Sequence, residues 1–168
     1  TALDLADDET SELIERSTAE SWLGQFKSWL GAYKAAGLFI DYGYTVGAGD
    51  SLQAVKNHEF VDILTTAGTA DLTTHVNFKR CAHKLAPYSH PVIDLAHFLT
   101  TLGLPTRAVQ VHQKLSEQKD IDALTHAIER LLSPNQMGGL HKVLAFTTEN
   151  MPTPAAILPR DEHAAGGE

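Results

Sequence analysis

Apolar residues first recur at helical spacing where Trp22, Leu23, Phe26, Trp29, Leu30 and Tyr33 line one side of a 3.6-residue period. Ser17 and Glu20 precede them at the spacing of a capping box, in which hydroxyl and carboxylate satisfy two otherwise orphaned amides. The pattern predicts an amphipathic helix with its aromatic stripe in the core. The period breaks at Gly37, a residue suited to a left-handed C-terminal cap, and Leu38, Phe39 and Ile40 follow as a short apolar strand. Helix, glycine, strand is the succession expected of an α/β sheet. Ligands gather beyond the carboxyl ends of strands in open sheets of that class, which makes Asp41 a candidate site residue by position.

Small residues and glycines then predict a loop over residues 44–51, and residues 52–64 show no sustained period and are assigned little regular structure. Residues 70–76 read as extended, and Asn77 as the N-cap of a helix carrying Phe78, Cys81, Ala82 and Leu85, closed by Pro87. Asp94 caps a helix with Leu95, Phe98, Leu99 and Leu102 on one face, ended by Gly103, and Pro105 suits the first turn of the next helix, the two packing together. Asp120 opens a further helix with Ile121, Leu124, Ile128 and Leu131 before Pro134. Residues 140–146 read as a final strand. The chain divides into a flexible segment 1–14, a folded unit 15–146 with a helical part at about 94–132, and a flexible tail 147–168 rich in proline, alanine and glycine.

At 168 residues this is one compact unit. Thirteen basic against 21 acidic residues give a formal charge of −8, which opposes a polyphosphate partner and excludes nucleic acid as the first expectation. Cys81 is the single cysteine and cannot form an internal disulfide. No apolar run is long enough to span a membrane. The chain starts with Thr1, which suggests a processed product or a fragment.

The motifs of serine hydrolases, phosphate-binding loops and zinc peptidases are absent, and the nine histidines never fall at spacings that preorganise zinc, so no metal is expected. Gly47, Ala48 and Gly49 form a lone GxG that does not open a helix, so flexible-loop glycines are the better reading. Asp71, Thr73, His75 and Asn77 form the densest polar set, alternating with Leu72, Thr74, Val76 and Phe78. They are either the wet face of a strand leading into a cap or a reactive cluster.

Residues 37–43 (GLFIDYG), 49–55 (GDSLQAV), 58–62 (HEFVD), 68–78 (GTADLTTHVNF), 98–104 (FLTTLGL) and 137–145 (MGGLHKVLA) occur in an order that resembles one family. It is the methyltransferase family that includes the mitochondrial complex I assembly factor, a protein arginine methyltransferase, and its bacterial relatives. The resemblance implies an α/β fold, the C-terminal part of a Rossmann-like class I methyltransferase sheet. Residues 38–42 would be its fifth strand, residues 140–146 one of the last two, and 94–132 a helical insertion.

It further implies S-adenosylmethionine as cofactor, bound mainly by residues upstream of this chain, so that the chain alone would be inactive. On the acceptor side the resemblance places Asp71, Thr73, His75 and Asn77 as catalytic candidates, and Asp41, Tyr42 and Gly43 beside the cofactor. Asp50 and His58 also lie in resembling motifs, where a loop locked by local hydrogen bonds explains them equally well. The implied partners are a protein substrate, a respiratory complex subunit among the candidates, and the missing N-terminal half. A homo-oligomer formed through the apolar half-sheet is the other option. The implied location is the mitochondrial matrix for a eukaryotic protein and the cytoplasm for a bacterial one. Two other classes remain open: a non-catalytic interaction or assembly module using the helices of 94–132, and a small α/β hydrolase, against which the missing nucleophile elbow argues.

Overall fold

In the computed structural model, which describes residues 17–46 and 51–157, the predicted elements assemble around one central strand. The chain order is α1 (Ser17–Ala32), β1 (Ala36–Tyr44), β2 (Gln53–Lys56), β3 (Glu59–Val61), β4 (Asp71–Thr73), β5 (Val76–Asn77) and α2 (Phe78–Leu85). It continues through β6 (Ile93–Asp94), α3 (Leu95–Thr101), α4 (Leu104–His112), α5 (Gln118–Leu132), α6 (Met137–Leu140) and β7 (His141–Thr147). The segment 1–14, the loop glycines Gly47 and Gly49, Asp50 and the side chains of Ser17 and Glu20 lie outside the described set.

The main sheet has the order β5-β1-β7-β6 and mixes both strand directions, with β1 parallel to β5 and antiparallel to β7. β7 is the central element because its residues are apolar on both faces, the signature of a strand covered twice. Leu144 and Phe146 point to one layer, where they meet Leu23 and Leu30 of α1 and Phe78 and Leu85 of α2. Val143 and Ala145 point to the other, against Ile93, Leu95, Phe98 and Ile157. Each fully buried side chain of this size stabilises the fold by about 1.5–3 kcal/mol. Gly37, opposite Phe146 in the β1–β7 register, leaves room for the phenylalanine ring that any Cβ would strike.

Several local expectations need correction. The aromatic stripe of α1 reaches the core only through Phe26: Trp22, Trp29 and Tyr33 are 52%, 46% and 58% exposed, while Leu23 and Leu30 are buried. Successive helical residues point about 100° apart, so the Trp22–Trp29 row flanks the Leu23–Leu30 row, and the leucines are the ones buried against the sheet. Residues 52–64, expected to be irregular, contribute β2 and β3 to a second sheet of order β3-β2-β4. The signal was hidden because the connecting turn uses Asn57 and His58 at φ 53° and 67° in place of glycine. Leu140 closes the short helix α6 instead of opening the last strand. The tail does not begin at Thr147, since that residue ends β7, Thr148 is buried and Ile157 joins the second core layer. Asp94 precedes α3 as expected but makes no side-chain cap, because its carboxylate is taken by Lys142 at 2.6 Å.

Candidate functional site

The carboxyl end of β1 is where the sequence-predicted residues begin to converge. β5 joins β1 in parallel with Gly43 opposite Val76 and Tyr44 opposite Asn77. That pairing brings His75 and Asn77 beside Tyr42 and Gly43. Close approach requires Gly43, because a side chain there would overlap the Val76 carbonyl and the Phe78 ring. Packing against β5 and α2 therefore accounts for a glycine at this position.

Tyr42 stands between two imidazoles. Its ring centroid is 3.8 Å from that of His141, its cross-strand neighbour on β7, and 6.3 Å from that of His75, whose plane is within 15° of parallel. Tyr42 is half exposed, whereas His141 is buried and its Nδ1 has no hydrogen-bond partner among the described residues. Asp41 faces the opposite side of the strand, where its Oδ1 accepts the Tyr42 amide at 2.7 Å. Directly across from Asp41, Lys142 spends its ammonium on Asp94 Oδ1 at 2.6 Å and the Gly139 carbonyl at 2.7 Å.

The other candidates separate. Asp71 and Thr73 lie on β4 of the small sheet, exposed, with Asp71 opposite Val55 and Thr73 opposite Gln53. Asn77 is the predicted N-cap of α2, its Oδ1 accepting the Arg80 amide at 3.0 Å. His58 belongs to the β2–β3 turn, and the local hydrogen-bond lock sits instead at Asp62, which accepts the Leu64 and Thr65 amides. Those bonds, first the one from the Thr65 amide, hold the Asp62 carboxyl below its ordinary range. Among the described residues no group of three or more His, Cys, Asp or Glu side chains gathers as a metal site would require. His141 escaped the sequence reading because only the β1–β7 register places it against Tyr42.

The described residues offer an exposed carboxylate at Asp41, a half-exposed phenol ring at Tyr42 and imidazoles at His75 and His141. The aromatic row lies on one side of β1 and the Asp41 carboxylate on the other.

A family of S-adenosyl-L-methionine-dependent methyltransferases matches residues 2–87, just over half of the 168 residues. The mitochondrial protein arginine methyltransferase NDUFAF7 of Xenopus laevis is 29% identical over 136 residues, covering 79% of this chain and 31% of its own length. The Xenopus tropicalis protein of the same name is 27% identical over 148 residues, covering 86% and 34%. A Burkholderia thailandensis protein solved with bound S-adenosyl-homocysteine superposes with a TM-score of 0.70 at 21% identity, over 90% of this chain and 41% of that one. The chain thus spans about a third of the length of these curated relatives.

Proposed function

The chain belongs to the family of S-adenosyl-L-methionine-dependent methyltransferases, and from that premise we propose that it forms the acceptor-side portion of a protein arginine N-methyltransferase. The observation that carries the arginine reading is the row His75–Tyr42–His141 at the carboxyl end of β1. A guanidinium is planar, permanently charged and weakly hydrated, so it packs against the exposed part of this aromatic row and donates its fork of N–H groups to carboxylates. Asp41, the nearest carboxylate in sequence, faces the other side of β1, so the exposed carboxylate of Asp71 on β4 is the acceptor assigned to it in this reading. The cofactor, when bound, supplies the methyl group. The residues of this chain hold the acceptor nitrogen in line and exclude water, effects that are worth several kcal/mol when geometry is fixed (on the order of 7–11 for ideal positioning). Of the cofactor-side candidates, Asp41 and Tyr42 retain exposed surface for a ligand, and Gly43 packs closely on Val76 and Phe78.

The protein arginine methyltransferase names of the frog relatives support this acceptor class, and a respiratory complex subunit is the substrate the resemblance favours. The mitochondrial location carried in those names supports the matrix for a eukaryotic source, the cytoplasm remaining the location for a bacterial one. No helix among the described residues is long and apolar enough to cross a membrane.

The test is transfer of labelled methyl from S-adenosylmethionine to arginine-containing peptides and to the same peptides with lysine in place of arginine. The chain alone is expected to bind no cofactor. A longer polypeptide carrying the cofactor-binding part is expected to label only the arginine peptides and to lose most of its rate on Tyr42→Ala. Equal labelling of lysine peptides rules out the acceptor assignment.

One observation favours the interaction-module reading as a second function. α4 and α5 bury no residue fully, and a shallow, open, mostly apolar cleft of about 320 Å³ between them is lined by Ala108, Val109, His112, Leu124, Thr125 and Ile128. A partner helix bound there would survive loss of methyl transfer.

A further inference from the structure

The apolar cleft between α4 and α5 has a rim of one sign. Its lining covers one helical turn on each helix, Ala108 to His112 and Leu124 to Ile128, about 6 Å along the axis. At about 100° per residue, Asp122 and Glu129 stand within about 60° of Thr125 around α5, one turn to either side of it. Both are exposed. Among the described residues neither carboxylate meets a cation, and Asp122 Oδ1 accepts the neutral side-chain amide of Gln118 at 2.8 Å. Lys119 and Arg130 of the same helix lie about 120° and 140° from Thr125, on the far side. On α4, Arg107 lies about 160° from Val109, whereas Thr106, within about 60° of it, is uncharged. The apolar slot is therefore edged by two carboxylates seven positions apart, about 10 Å along α5, while the lysine and arginine side chains carried by the two helices turn away.

We propose that this cleft receives a basic amphipathic helix of a partner protein. Two apolar side chains one turn apart fill the slot, and two cations on the adjacent flank of the same helix reach Asp122 and Glu129. The proposal rests on the interaction-module reading above and not on methyl transfer. In a groove of this kind the apolar anchors supply most of the affinity, and the rim charges choose the partner and speed its encounter. Other occupants meet like charge. A second copy pairing through the same cleft sets acidic rim against acidic rim, and the chain's own N-terminal residues Asp4, Asp7, Asp8 and Glu9 are acidic as well.

The probe is a fluorescein-labelled helical peptide of alanine and glutamine that carries two leucines one turn apart and two lysines on the adjacent flank. Its control has glutamate in place of both lysines. Fluorescence anisotropy reads binding to the chain, and amide chemical shifts map where each peptide sits. The lysine peptide is expected to shift amides of α4 and α5 and to bind about tenfold or more tightly than the glutamate peptide at low salt, the gap closing as salt screens the rim. Asp122→Lys combined with Glu129→Lys is expected to reverse that order. Val109→Gln, at an exposed position on the cleft wall, is expected to weaken both peptides about fivefold. All variants are expected to keep the parent circular dichroism. Equal affinity for the two peptides at the cleft overturns the basic partner and leaves an interaction module of other specificity. Binding by neither peptide, or shifts confined to other elements, overturns the module together with the proposal. A longer polypeptide whose α4 and α5 amides are already protected from exchange without peptide also overturns it, because the rest of the protein then covers the cleft.

Discussion

Asn77 has donors and acceptors suited to a reactive cluster, yet its Oδ1 accepts the Arg80 amide at 3.0 Å and starts α2. Its first role is therefore structural. Asn77→Ala is expected to lower the unfolding free energy by about 1 kcal/mol in urea titration, the ordinary cost of a lost cap, with the spectrum of the folded state unchanged. Asp62 makes the opposite kind of prediction, one of pH. The Thr65 amide and hydroxyl and the Leu64 amide stabilise its charged form, so its folded pKa lies below the ordinary 3.8. A depressed acid contributes stability that is fully present above the unfolded value and is lost as pH falls through the folded one. The stability gap between the parent and Asp62→Asn is thus expected to stay constant above pH 3.8 and to narrow below it. A gap that widens in acid contradicts the hydrogen-bonded turn.

Helix α1 shows at the element scale how two neighbouring rows divide their work. Leu30→Ala opens a hole among Phe78, Leu85 and Leu144 and is expected to cost about 2–5 kcal/mol. Trp29→Ala, at a half-exposed position, is expected to cost less than about 1 kcal/mol in the isolated chain, as surface substitutions generally do. Chemical denaturation of the pair separates the two rows. The sequence made α1, the strand of residues 38–40, α2 and α3 to α5 legible because each carries a period, a cap or a terminating glycine or proline. It left β2 and β3 unread, since four- and three-residue strands give too few positions for a period and their turn uses Asn57 and His58 without glycine. The choice between the tryptophan and leucine rows was equally invisible, as both are apolar and only the sheet decides which one it covers. At the candidate site, Asp41 and Tyr42 were legible from their position at a strand end. His75 was legible from its place in a polar cluster. His141 was not, because its meeting with Tyr42 depends on pairing two strands about a hundred residues apart in sequence, a contact that only the fold creates.

At the scale of the whole molecule, β7 couples layers that local sequence would treat separately. Leu144 and Phe146 belong to the α1–α2 layer, Val143 and Ala145 to the layer with β6 and α3, and all four lie on one seven-residue strand. The strand cannot lose one set of contacts without exposing backbone that serves the other, so the two layers are expected to unfold together. Tryptophan fluorescence reports α1 through Trp22 and Trp29, whereas most of the helical circular dichroism outside α1 comes from α3 to α5 on the far side of the sheet. The two signals are expected to share one midpoint in urea. Val143→Ala, whose cavity lies wholly in the far layer, is then expected to shift the tryptophan midpoint as much as the helical one, by the equivalent of about 1–3 kcal/mol. A helical transition that moves while the fluorescence transition stays fixed would show that the helices from 95 to 132 form a unit of their own attached to the sheet. Coincident movement makes β7 the element that ties the two layers together, and with them β1, whose hydrogen-bonded partner it is over residues 36–42.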